Sequence, residues 1–162
     1  MTAAPEFSRP VAVDRIGPKG QEVEVTADEA ECAALAQRLQ VPAVLALSCR
    51  FRLTRAEAGR VEAEGTLRAR LVRDCVVSLE PFETEVVERF AAVFVPEGTE
   101  SATLDLTAPD EIPYANGAID LGEAAAEQLA LTLDPYPRKP GVSLPEAEAP
   151  PSPFAALRRR DG

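Results

Sequence analysis

The sequence predicts an α+β fold: a curved antiparallel sheet of about five to seven strands, with closure into a barrel left open, and two covering helices. Three observations carry this expectation. Two central segments alternate apolar and polar residues with period two, which marks strands with one wet face. Two other segments place apolar residues at helical spacing. The last part is crowded with proline and poor in large apolar groups, so a disordered tail is expected at 137–162 after a single domain at 1–136.

The elements follow in chain order. Met1 to Ser8 reads as a frayed end. Arg9 to Arg15 alternates weakly, with Val11 and Val13 on one side, and is expected as an edge strand. Gly17-Pro18-Lys19-Gly20 is a turn, and Glu22 to Val25 a second short strand. Thr26 and Glu29 have the spacing of a capping box, in which each side chain bonds the other's backbone amide. The helix that follows aligns Cys32, Leu35 and Leu39, and ends near Gln40 because Pro42 disfavours helical geometry before it.

In Ala43 to Thr54 the odd positions are expected to face inward, from Ala43, Leu45 and Leu47 to Leu53. In Arg60 to Val72 the inward set runs from Val61 to Leu71 by odd numbers. Arg55 to Gly59 is short enough for a hairpin loop. Phe82 to Val95 continues in kind, with Phe82, Val86, Phe90 and Phe94 on one side, until Pro96 ends it. Glu97 to Tyr114 is polar and broken by Pro109 and Pro113; apart from one short strand around Leu104 and Leu106 it reads as loop. Asn116-Gly117 is a turn signal. Asp120 then caps a second helix carrying Leu121, Ala125, Leu129 and Leu133, stopped by Pro135 and Pro137. Seven prolines fall in the last 29 residues, where Pro153 to Arg160 reads as a short docking element.

Composition limits the chemistry. The chain has no histidine, which removes Ser-His and Cys-His nucleophile pairs and imidazole metal ligands. Its three cysteines, Cys32, Cys49 and Cys75, are scattered, so no metal site is expected and a reducing cytoplasm is the simplest setting. Nothing next to Cys75 in the sequence clearly lowers its pKa, and a packed thiol is the plain reading. The acidic pairs Asp110-Glu111 and Glu83 with Glu85 read as an acidic loop and a solvated strand face rather than as acid–base pairs. There is no GxGxxG or Walker pattern, no run of about 18 apolar residues, and no basic-then-apolar leader at the start. No catalytic residue and no cofactor is expected. A small-ligand carrier would need the strands to close around a cavity, and no residue selects a ligand.

The net charge of −10 opposes general binding to phosphate backbones. It hides a reversal: Val44 to Arg73 holds seven arginines and three glutamates, a net of +4 that leaves −14 on the rest. Arg50, Arg52, Arg68 and Arg70 project from one side of the predicted hairpin, and Arg73 follows them. Two readings stand. A hairpin turning near Glu57 sets Arg52 opposite Glu62 and Arg50 opposite Glu64 as cross-strand ion pairs, with Glu85 near Arg70. Alternatively the arginines form an RNA surface, in which Arg68, Arg70 and Arg73 are the free set. No aromatic residues interleave with them, so a base-stacking platform is not expected.

Two linked segments carry a resemblance. The first is Asp74-Cys-Val-Val-Ser-Leu-Glu-Pro-Phe, running on to Phe90-Ala-Ala-Val-Phe-Val-Pro96. The second is Gly117-Ala-Ile-Asp-Leu-Gly-Glu, running on to Asp134-Pro-Tyr-Pro137. Together they resemble the YceD family of large ribosomal RNA subunit accumulation proteins, in its alphaproteobacterial form, over roughly Leu71 to Tyr136. The positions that carry the likeness are Cys75, Leu79, Pro81, Ile119, Asp120 and Leu121. Many members have a second cysteine three residues after the first; here that position is Ser78, which puts in doubt a metal or redox role for the pair. The resemblance implies a non-enzymatic, cytoplasmic role in a bacterium, in accumulation or maturation of the 23S ribosomal RNA. The implied partner is that RNA or a large-subunit precursor particle. The acidic bulk supports a second possibility, an adaptor or chaperone for a basic ribosomal protein. Nothing in the sequence sets an oligomeric state.

Overall fold

The computed structural model describes residues 4–102 and 106–142. Among these residues, seven strands and two α-helices follow in the order β1 (Pro10–Ala12), β2 (Gln21–Thr26), α1 (Glu29–Leu39), β3 (Ala43–Arg55), β4 (Val61–Asp74), β5 (Pro81–Pro96), β6 (Asp110–Tyr114), β7 (Ala118–Asp120) and α2 (Leu121–Thr132). Five strands form one sheet in the order β2-β3-β4-β5-β6, and β1 pairs with β7 in a small second sheet. The large sheet ends in two edges, β2 and β6, so it does not close into a barrel. Its pairs are antiparallel except β5 with β6, which run parallel.

The β3–β4 hairpin dominates. The period-two pattern survives folding: Leu47, Cys49, Phe51 and Leu53 are buried on β3, and Val61, Ala63, Leu67, Ala69 and Leu71 on β4. At the start of β3 the pattern slips. The register shifts between Val44 and Ala46, so Val44 is buried and Leu45, expected inside, is 42% exposed. An extra residue in one strand of a pair turns the side chains before it to the other face. The register also differs from the expected one by two residues. Arg52 lies opposite Glu64 and Arg50 opposite Thr66, because the chain turns about Ala58 rather than Glu57. Ala58 and Gly59 take left-handed backbone there, at φ 59° and 74°.

The α1 cap lies two residues beyond Thr26. Asp28 accepts from the Glu31 amide and Glu31 accepts from the Asp28 amide, both at 2.8 Å. Asp28-Glu-Ala-Glu31 has the same spacing as the expected box, and Thr26 is already paired in β2 with Ser48. The predicted end at Gln40 is observed, with that residue in left-handed geometry. Asp120 caps α2 by accepting from the Glu123 amide at 3.1 Å, as expected.

Four further expectations need correction. The N-terminal segment from residue 4 to Ser8 is not a frayed end: Phe7 is fully buried, and Asp120 accepts from the Ser8 hydroxyl at 2.5 Å and the Arg9 amide at 2.8 Å. The strand expected over Arg9 to Arg15 covers only Pro10–Ala12 and pairs with β7, not with the large sheet. Asp110–Tyr114, read as loop, is a strand. Pro113 argued against it, yet an edge strand tolerates a missing amide on its outer side. The short strand expected around Leu104 and Leu106 is not seen at Leu106, a turn residue 89% exposed; Leu104 lies outside the described residues, as do Pro153 to Arg160. The inner face of the sheet, both helices and Phe7 share one core.

Candidate nucleic-acid interface

Register places the outward side chains in rows across the sheet. Glu24, Arg50, Thr66 and Arg89 form one row. Thr26, Ser48, Arg68 and Val87 form the next. Glu22, Arg52, Glu64 and Ala91 form the row on the other side. Arg50, Arg68 and Arg89 therefore surround the hydroxyls of Ser48 and Thr66, in a shallow depression of about 380 Å³ whose only carboxylate is Glu24. A second depression of about 550 Å³ continues it, with Arg52, Glu22 and Glu64 on its rim.

The ion pairs are not those expected from sequence. Arg50 pairs with Glu24 on β2 at 3.1 Å, not with Glu64. Glu85 lies opposite Arg70 as expected, but the ion pair of Arg70 is with Glu83 at 3.1 Å. Arg73 donates to the Asp134 carbonyl at 2.7 Å. Arg70 and Arg73 are thus held, although the sequence placed them in the free set. Among the described residues, no ion pair or hydrogen bond engages Arg52, Arg68 or Arg89. Arg89 was missed by sequence reasoning. The signal was available: it lies at an outward odd position of β5, one strand from Thr66, but two neighbouring glutamates made that strand read as acidic.

The residues that carry the family likeness lie elsewhere. Cys75, Leu79 and Pro81 shape the β4–β5 connection. Cys75 is fully buried, and its sulfur accepts from the Lys139 amide at 3.3 Å and the Ser78 amide at 3.5 Å. The Lys139 amide contributes most, then the Ser78 hydroxyl and amide, and together they draw the thiol down to about 6 against the effect of burial. This corrects the sequence reading, since Lys139 is 64 residues away and gave no local signal. The Val76 amide also donates to the Pro137 carbonyl at 3.0 Å, and Lys139 Nζ lies 3.2 Å from Glu80. Pro137 to Lys139, expected within the tail, are therefore tied to this turn. Leu79 sits in left-handed backbone at φ 61° and is 79% exposed. Ile119, Asp120 and Leu121 stand at the other end of α2. Ile119 and Leu121 are fully buried, and Asp120 joins the helix start to Ser8 and Arg9.

One carboxylate of each acidic pair has a structural partner, Glu83 in Arg70 and Glu111 in the groups around it. Glu111 accepts from the Ser101 amide and hydroxyl at 2.7 and 2.8 Å and pairs with Arg60 at 3.2 Å, which holds its carboxyl below the usual range. Among the described residues, no group of three potential ligands could hold a metal ion, and no helix is long and apolar enough to cross a membrane.

Residues 63–158, more than half of the chain, match the family model described as large ribosomal RNA subunit accumulation protein YceD. The chain belongs to the YceD family. No curated protein and no solved structure matches it. The family's name ties this YceD chain to accumulation of the large-subunit ribosomal RNA. Arg68, Arg70, Arg73, Cys75 and Arg89 fall within the matched stretch; Arg50 and Arg52 precede it.

Proposed function

We propose that this YceD-family protein supports maturation of 23S ribosomal RNA without catalysis, in the bacterial cytoplasm. It does so by holding the phosphate backbone of that RNA, or of a large-subunit precursor, on the outer face of its sheet. The observation that carries the reading is the unengaged state of Arg52, Arg68 and Arg89 in an otherwise ion-paired face. Guanidinium groups fit phosphate oxygens with two parallel hydrogen bonds, and the Ser48 and Thr66 hydroxyls between them suit further phosphate contacts. Arg50, beside those hydroxyls, and Arg70, at the margin, join by exchanging their exposed carboxylate partners for phosphate; Arg73 stands at an inward position opposite Phe82, is held by the Asp134 carbonyl, and is left out of this face.

The test is co-sedimentation with large-subunit precursors. Replacing Arg68 and Arg89 together with alanine is expected to weaken association and to lower the salt dependence by about one logarithmic unit per lost phosphate contact, with the fold retained. Unchanged association would overturn the site. A second reading, an adaptor for a basic ribosomal protein, is favoured by the net charge of −10. Nuclease treatment separates the two: the RNA reading expects recovery of partners to be lost, the adaptor reading expects it to persist.

A further inference from the structure

A long strand is left half-paired. β5 runs from Pro81 to Pro96 and pairs with β4 from Pro81 to Phe94 without a break in register. On its other side β6 covers only Ala92 to Pro96. Residues 81–91 therefore present an open edge of about 37 Å. Among the described residues nothing bonds to the backbone on that side. Pro81 stands only at the first position of this edge and no bulge interrupts it; of the devices that keep edges single it carries one inward charge, Glu88. Its inward side chains are Phe82, Thr84, Val86, Glu88 and Phe90, all only half-buried.

We propose that this edge pairs with the same edge of a second copy of the chain, antiparallel, about a two-fold axis at Val86. The sequence of the edge is complementary to itself in that register. Val86 faces Val86 of the second copy, Phe82 faces its Phe90, and Thr84 faces its Glu88, so the two phenylalanine pairs and the central valine pair are each matched and the Thr84 hydroxyl meets a carboxylate. On the outer face Glu83 meets Arg89 of the second copy, twice by symmetry, and Glu85 meets Val87, itself 53% exposed. A shift by one residue would set outward charges against inward apolar groups. A shift by two towards the N-terminus would set Glu85 against itself. The symmetric register uses the whole open stretch and stops where β6 begins. Such an isologous contact joins two five-stranded sheets into one of ten, with all four helices on one face and both arginine clusters on the other. The proposal does not rest on the RNA reading, although both use Arg89 and Glu83 would be shared with Arg70; association of the chain without RNA tests it separately.

Sedimentation equilibrium of the full chain tests it. The wild-type chain is expected to form dimers. Arg89→Glu and Glu83→Arg should each raise the dissociation constant about tenfold, because two attractive pairs become repulsive. The double variant Glu83→Arg with Arg89→Glu should restore wild-type association. A chain that stays monomeric throughout its soluble range overturns the proposal, as do single variants that associate like wild type or a double variant that fails to recover. Hydrogen exchange of wild-type protein gives a check free of substitutions. Amides in 81–91 on the open side should exchange more slowly as concentration rises, and exchange independent of concentration overturns the pairing.

Discussion

The two faces of β4 differ by one residue step and by everything else. Inward, Val61, Leu67 and Leu71 have no exposed surface and meet the core beneath both helices. Outward, Glu62, Glu64, Arg68 and Arg70 are exposed, and among the described residues only Arg70 of the four has an ion-pair partner. The inner face holds the fold together by burial; the outer face keeps charges that contribute little to stability and remain available to a partner. Alternation along one strand thus separates stability from contact, and neighbouring substitutions should report the two separately.

The largest expected effect is on the inner face. Leu67→Ala should lower unfolding free energy by about 2–5 kcal/mol in urea titration, from lost burial and the cavity left behind. Gly65→Ala comes next. A β-carbon there would lie 2.3 Å from the Phe90 ring, which stacks edge-on against Phe51 with centroids 5.8 Å apart. Forcing that ring aside should cost about 1–3 kcal/mol. Arg68→Ala, one position from Leu67, should change stability by no more than about 0.5 kcal/mol while weakening RNA association. If Arg68→Ala destabilised as much as Leu67→Ala, the separation of the two faces would fail.

Cys75 sharpens the comparison from outside the sheet, with a smaller effect that depends on pH. Its thiol is lowered from 9.0 to about 6 in the folded chain. A lowered folded value means the contribution is complete above the unfolded value of 9.0 and is lost as pH falls through about 6. The urea midpoint of the wild type, measured relative to Cys75→Ser, should therefore rise between those two pH values. A constant difference between the two proteins would remove the thiolate from the account.

Much of this architecture was legible in the sequence because period two and helical spacing are local signals. The β3–β4 hairpin, the long β5 and the Asp120 cap all announce themselves within a few residues. What was not legible depends on distant partners. Leu45 reads as inward until the bulge beside it is known. Asp110–Tyr114 reads as loop because a strand of five residues containing proline is recognised only by the β5 end it joins. The arginine face was visible as a pattern, but its pairing was not. A two-residue change in hairpin register moved the partners, β2 supplied Glu24 to Arg50, and Arg89 entered from a strand that read as acidic. The setting of Cys75 rests on Lys139, far along the chain, and no spacing rule links them.

The small β1–β7 sheet bears on how the protein is made. Pro10 to Ala12 have as partners Ala118 to Asp120, and Phe7 packs where α2 begins. Translation delivers the first of these segments more than a hundred residues before the second. During synthesis the opening strand has nothing to pair with and Phe7 has no finished pocket. Closure of the body must wait until most of the chain has left the exit tunnel, so the nascent start is the part most in need of shelter from wrong contacts while the hairpin behind it takes shape.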